Sequence, residues 1–466
     1  MADRPQVVIV GAGFGGLNAA KRLEKEPVDV ILIDQHNYHT FQPLLYQVAT
    51  AGLNPADVGY TTRGLFRRQQ RVFVRKGRVT GVDWDRHEVL LRDEDPVHFD
   101  YLIIAAGSAT NYFGLPGAAE YAFPLYSLED SIRLRNHILS LFEAAEAVPT
   151  LIDDGILNFV IVGGGPTGVE VAGAMAELVD KVLVGDFHDL DVHRARIILL
   201  EMGAALLAPF SAKSQEYART TLRQRGVEVR LHTALESLTE TQVTLVGGEV
   251  IPTRTLVWAA GVRAGDLASE VEAPQGKGGR ITVEADLSVP GHPNAFAIGD
   301  IADIDDGDGG RLPQLAQVAI QGGKHAAEQV MRTIERRPRT EFHYLDKGTM
   351  ATIGRRAAVA ELPKGIDLTG AVAWLAWLGL HLIYLLGVRN KVSVLVNWAW
   401  NYFTWDRGPR LILRPEQLPH TPHPHADGPD PSDMRNRAPA PPSAPSAPPS
   451  SPAGRPDADG HEAEQR

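Results

Sequence analysis

Val7-Val8-Ile9-Val10, followed by Gly11-Ala12-Gly13-Phe14-Gly15-Gly16, sets the architecture of the chain. Four consecutive β-branched residues read as a buried parallel strand, and glycines at GxGxxG spacing turn such a strand directly into a helix. Gly11 allows the tight turn, Gly13 lets the backbone approach a pyrophosphate, and Gly16 lets the helix pack closely on the strand. The helix N-terminus offers free N–H groups and partial positive charge to phosphates. Residues 28–33 form a second apolar strand ending in Asp34, 18 residues after Gly16, where a carboxylate accepts hydrogen bonds from a ribose. A GxGxxG alone is a common turn; framed by strand, helix and acid it marks a dinucleotide site.

The pattern recurs. Asn158-Phe159-Val160-Ile161-Val162 runs into Gly163-Gly164-Gly165-Pro166-Thr167-Gly168 and a helix, and a later strand at residues 196–200 ends in Glu201. Residues 255–261 (TLVWAAG) echo residues 102–107 (LIIAAG); Gly11 to Gly107 spans 96 residues and Gly163 to Gly261 spans 98. Two similar nucleotide-binding units therefore lie in tandem, with Gly163, Gly165, Gly168 and Glu201 in the second. Glu201 is followed by Met202 and Gly203 rather than a base, and an acid here repels a 2′-phosphate, which favours NADH over NADPH. The excess length before Glu201, residues 185–192, reads as an acidic loop insertion.

At 466 residues the chain needs more than one core, and its net charge of -11 argues against nucleic acid as a partner. The first core strand follows Met1 too closely for a secretion signal, so the cytosolic side is expected. There is no cysteine, which excludes disulfides, thiolate metal sites and a CxxC redox pair. The aromatic, amide-rich run at residues 36–47 is too irregular for a strand and reads either as core packing under a loop or as a wall around a bound aromatic ring; His36 and His39 lack a carboxylate at ligand spacing. Residues 293–300 deliver a Gly-Asp, with Asp300, to a loop. In the helix that follows, Gln317 and Gln321 are four apart and share one face. Asp303, Asp305, Asp306 and Asp308 superficially resemble a calcium loop, but Gln314 stands where its glutamate belongs, so a solvated acidic turn is expected.

Residues 368–388 run 21 residues without an acid, Lys or Arg, with His381 as the one imidazole, and five of the seven tryptophans fall in this stretch or just after it. Residues 347–414 hold nine Lys/Arg against three Asp/Glu, a local charge of +6. Apolar, Trp-rich and locally basic sequence suits an anionic membrane surface. Three glycines and the basic residues before a second apolar stretch favour a monotopic helical anchor over a true span or a buried dimer interface. From about residue 418 the chain is Pro, Ala, Ser, Asp and Gly, too poor in apolar residues to fold.

Two dinucleotides in one chain suit a flavin that accepts a hydride from NADH and passes the electrons on. Without cysteines they leave directly to a diffusible acceptor, and a membrane anchor points to one dissolved in lipid. Gln317 and Gln321 are neutral amides able to hold quinone carbonyls without drawing water into an apolar tunnel. The alternatives are a soluble flavin reductase using oxygen or an iron–sulfur protein, and a redox sensor that holds NADH.

Over residues 5–415 the chain resembles the type II NADH:quinone oxidoreductases, single-subunit, non-pumping flavoproteins. The resemblance rests on GAGFGG, the block HTFQPLLYQVATAGL from His39 to Leu53, GGGPTGVE, AIGD and AQVAIQ. It implies an α/β fold of two Rossmann-like, glutathione-reductase-like domains plus a C-terminal membrane-anchoring helical segment. The implied layout is FAD domain 1–118 and 276–340, NADH domain 119–275, membrane-docking region 341–415 and a disordered tail 416–466. It further implies that Gly11, Gly13, Gly16, Asp34 and Asp300 hold FAD, that Glu170 lies near nicotinamide and flavin, and that Gln317 and Gln321 line the quinone pocket. Ubiquinone or menaquinone as acceptor, a homodimer, and a peripheral place on the cytoplasmic face of the cell membrane complete the expectation.

Overall fold

A computed structural model describes residues 4–413. The proline-rich tail expected at 416–466, with His420, His423 and His425, lies outside the described residues. Gln6–Val10 enters the centre of a six-stranded sheet, pairing in parallel with Asp29–Asp34 on one side and Tyr101–Ile104 on the other. Val72–Lys76 extends one edge, and His292–Ala297 with its antiparallel partner Ser288–Val289 completes the other. Val7, Val8 and Ile9 are fully buried, as a strand covered on both faces requires.

The second sheet is wholly parallel: Phe123–Pro124, Thr255–Trp258, Asn158–Val162, Arg196–Leu200 and Glu228–Arg230 in spatial order. Each sheet is accompanied by a three-stranded antiparallel meander, from Val79–Asp83 to Glu94–His98 in the first unit and from Leu235–Leu238 to Val250–Pro252 in the second. The repeat seen in sequence is thus a repeat of whole supersecondary units. An antiparallel pair, Ser108–Thr110 with Val262–Ala264, ties the two together.

The helix Phe14–Leu23 is crossed by Ala316–Ile334 at close range. A Cβ on Gly323 would stand 2.2 Å from the Gly15 carbonyl oxygen, so only glycine permits the crossing. The C-terminal region begins as a three-stranded sheet, Thr349–Gly354, Ala357–Leu362 and Ile366–Thr369. It ends in two helices, Gly370–Tyr384 and Val388–Thr404.

Several local expectations change. The apolar run at 368–388 is not one helix: its first residues close a strand, the helix has 15 residues, and Gly387, at φ +79° with the Tyr60 ring where a Cβ would sit, makes a corner. No helix among the described residues is long and apolar enough to cross a membrane. The supposed insertion at 185–192 is partly helical, because Pro166–Leu178 runs on through a wider turn, Val179–Leu183, to Val184–Asp186. In the aromatic run, Tyr38–Thr40 does form a short strand, paired with Gly59–Thr61. Asp303 is not solvated: it is 2% exposed and ion-paired with Arg280 at 2.6 Å, so the acidic turn proper begins at Asp305.

Candidate active site

The two glycine turns have the same construction. Gly11 has φ +103° and Gly163 φ +109°, conformations that favour glycine, and a Cβ on either would collide with the backbone of the neighbouring strand's end at Ala105 or Ala259. A Cβ on Gly16 or Gly168 would lie 1.8 Å from the carbonyl oxygen of Gly11 or Gly163. Gly13 and Gly165 differ: a Cβ there meets nothing within 4 Å. These are the faces left open above each helix N-terminus, where a pyrophosphate fits. Gly16→Ala is therefore expected to destabilise the apoprotein by about 2 kcal/mol or more. Gly13→Ala should leave apoprotein stability within about 0.5 kcal/mol yet lower flavin content, as thermal melts and flavin-to-protein absorbance ratios would show.

The strand-end acids are also matched. The Asp34 carboxylate accepts N–H bonds from Ala12 at 2.6 Å and His36 at 2.7 Å. Glu201 accepts them from Gly164 and Gly203, both at 2.6 Å. Each acid thus holds its glycine turn in shape. Burial raises the Asp34 carboxyl above its ordinary range, and it does the same to Asp300. Asp300 accepts a 2.9 Å hydrogen bond from Ser108, and Gln314 donates to its carbonyl at 3.0 Å. The set fits a dinucleotide in each unit.

Glu170 stands one turn into the second glycine-turn helix, on the side facing the C-terminal region. It lines a cavity of about 100 Å³ with Tyr46, Glu177, Trp377, Trp398 and Arg407. Full burial pushes its carboxyl up to about 8, partly offset by the Thr352 N–H at 3.3 Å and the nearby Trp377 indole. Burial raises the Tyr46 phenol well above its usual range too, and Glu170 adds to that. Deeper in, Glu177 pairs with Arg225 at 2.6 Å and Arg407 at 3.2 Å, and Arg407 donates to the Thr50 carbonyl at 2.8 Å.

Gln317 and Gln321 share a helix face as expected, but the structure uses them differently. The Gln321 amide is engaged both ways with Leu345, donating to its carbonyl at 2.9 Å and accepting from its N–H at 3.0 Å. The Gln317 side-chain oxygen is buried without a partner. Neither lines the Glu170 cavity; Gln317 lies on the other flank, on the helix whose Ala319 packs against Gly299 and Gly15. His39, buried with its Nδ1 2.9 Å from the Ala12 carbonyl, is held neutral, burial lowering it to about 4. Among the described residues no His/Asp/Glu group could hold a metal.

Sequence reasoning missed the segment that joins the C-terminal helices to the first unit. Asp57 accepts from Ser393 at 2.6 Å and Asn397 at 3.0 Å, Asn390 donates to the Ala56, Asp57 and Gly59 carbonyls, and Trp398 donates to Gln47 at 2.8 Å. The signal was there in the spacing: Asn390, Ser393, Asn397 and Asn401 recur at helical period in an otherwise apolar stretch. This polar stripe faces inward and the apolar one outward, so Val388, Leu395, Val396, Trp400 and Phe403 are all exposed.

Two glycine turns of the same construction, each tied to an acid at the end of the next strand, in a chain without cysteine, define a protein with two dinucleotide-binding units. Residues 5–323 match the pyridine nucleotide-disulphide oxidoreductase family, and residues 347–404 match the NDH2 C-terminal domain. The chain is 39% identical over 436 residues to the type II NADH:quinone oxidoreductase Ndh of Mycobacterium tuberculosis, covering 90% of this chain and 92% of that one. To the type II NADH:quinone oxidoreductase of Staphylococcus haemolyticus it is 30% identical over 380 residues, 80% of this chain and 92% of the other. The chain belongs to the type II NADH:quinone oxidoreductases. The fold agrees with that of NDH2 from Plasmodium falciparum solved with NADH, at TM-score 0.81 and 20% identity over 88% of this chain and 100% of that one. The protein is thus an NADH dehydrogenase and quinone reductase of the flavoprotein class, which sets aside the oxygen-linked reductase and the redox sensor.

Proposed function

We propose that FAD lies in the first unit on Gly11, Gly13, Gly16, Asp34 and Asp300, and NADH in the second on Gly163, Gly165, Gly168 and Glu201, with the domain limits given above. Bound FAD supplies the relay that takes a hydride from NADH and returns two electrons to a quinone. The residues of the chain orient the rings at near-contact distance and manage protons, and no side chain needs to act as a nucleophile. The overall balance is NADH, a quinone and one proton giving NAD⁺ and a quinol. The hydride carries both electrons and one proton; the second proton comes from Glu170, whose carboxyl O–H breaks as the quinone O–H forms, and which recharges from water in the cavity.

The observation that carries this reading is the C-terminal segment itself: it exposes an apolar face and, on its other side, closes the cavity that holds Glu170. That joins a lipid-facing surface to a proton-donating site, as a lipid-soluble quinone requires. The two C-terminal helices lie on the cytoplasmic membrane surface in this reading, with ubiquinone or menaquinone as acceptor. A homodimer follows from the family resemblance. Anaerobic NADH should bleach the flavin absorbance and added quinone should restore it. Gln317→Ala, which removes the unpartnered amide oxygen, should slow the second phase about tenfold and leave the first unchanged; equal slowing of both would reject its assignment to the quinone side.

A further inference from the structure

The indole N–H of Trp377 is a buried donor that faces the Glu170 carboxyl without making a well-formed hydrogen bond to it. The residue is 1% exposed, and its Nε1 finds no partner of hydrogen-bond geometry. The ring is held firmly nonetheless. It stacks on His381 with centroids 3.9 Å apart, meets Tyr46 edge-on at 6.2 Å and Trp398 at 6.1 Å, while His381 Nδ1 reaches the Trp377 carbonyl at 2.7 Å. A buried N–H so poorly matched is costly, and its place points to an acceptor that strengthens during turnover. That place is beside the Glu170 carboxyl, whose charged form the indole favours, in the cavity both residues line.

We propose that Trp377 is a positioning residue for Glu170: its N–H, with the Thr352 N–H, receives the carboxylate left when Glu170 has delivered its proton. This rests on the reading of Glu170 as the proton donor. In the neutral acid the long Thr352 contact and the poorly aligned indole leave the carboxyl free to face the quinone. After transfer both donors tighten on the anion and hold it until water in the cavity returns a proton. The other ionisable groups around the site are Tyr46 from the Leu45–Ala49 helix, Glu177 neutralised by Arg225 and Arg407, Arg355 after the Thr349–Gly354 strand, Tyr402 from the Val388–Thr404 helix, and His381 on the helix of Trp377 itself. His381 is half-buried, lowered to about 4 by desolvation and therefore uncharged in the working range. Burial and the two N–H donors are what act on Glu170 directly. The helix Gly370–Tyr384 accordingly has a role in the chemistry as well as a lipid-facing surface.

The test follows the carboxyl by infrared spectroscopy of the FAD-loaded enzyme in vesicles of zwitterionic and anionic phospholipid. The protonated-carboxyl band that disappears in Glu170→Gln is titrated in wild type and in Trp377→Phe, which keeps the ring and removes the donor. The midpoint should rise by about one pH unit in Trp377→Phe, with quinone reduction slowed about tenfold and flavin reduction by NADH unchanged. An unshifted midpoint overturns the role of Trp377 and leaves Glu170 as donor intact. Absence of any band lost in Glu170→Gln overturns both. In wild-type protein with isotope-labelled tryptophan, the Trp377 N–H resonance should move with the same midpoint as the carboxyl band, a measurement that does not depend on the variant folding; a resonance indifferent to that titration rejects the proposal.

Discussion

Glu170→Gln is expected to slow quinone reduction by about a hundredfold, while NADH still reduces the flavin at close to the wild-type rate. The amide keeps the shape of the side chain and cannot release a proton. In wild type, burial lifts the carboxyl from 4.5 to about 8, so it is loaded at neutral pH and quinone reduction declines as pH rises through about 8. The same shift bears on folding. An acid whose folded value is raised stabilises the fold fully below 4.5, and that contribution is lost as pH rises through about 8. Thermal melts of wild type should therefore fall across this window, and those of Glu170→Gln should fall less. A rate profile in the variant that matches wild type would remove Glu170 from the proton route.

The second large effect concerns the membrane. Ile383, Val388 and Phe403 are 70%, 79% and 81% exposed, so changing them to Asp disturbs no packing. Each forfeits about 1.5 kcal/mol or more of apolar burial in lipid, and the triple variant should bind vesicles about a thousandfold more weakly. Its melting temperature and its activity with a water-soluble quinone should be preserved. Undiminished co-sedimentation with vesicles would mean that this face is covered by something other than lipid.

The first prediction depends on residues brought together from distant parts of the chain, which is where reading the sequence alone is weakest. The glycine turns were legible because every constraint on them is local: a strand, a turn of positive φ, a helix start and an acid at the next strand's end. The tandem repeat was legible for the same reason. The Glu170 cavity was not, because Tyr46, Glu170, Trp377 and Arg407 come from four separate segments and no spacing rule links them. Gln321 shows the opposite limit. Its helical phase with Gln317 was correct, but whether an amide is free or already bonded to Leu345 depends on where the chain beyond residue 334 returns. The run at 368–388 looked continuous because composition does not register a corner at Gly387, which the Tyr60 ring makes obligatory.

The strand order carries a consequence for biosynthesis. The second sheet is drawn entirely from residues 123–258, whereas the first cannot close until His292–Ala297 has been made, and its glycine turn is not clamped until Gly323 crosses Gly15. On the ribosome the inner unit is complete while the outer one still waits for its last strand and helix. Ligand loading into the first unit is therefore a late event, and a chain truncated before residue 323 would leave the ribosome with a finished second unit and a first unit whose glycine turn is unclamped.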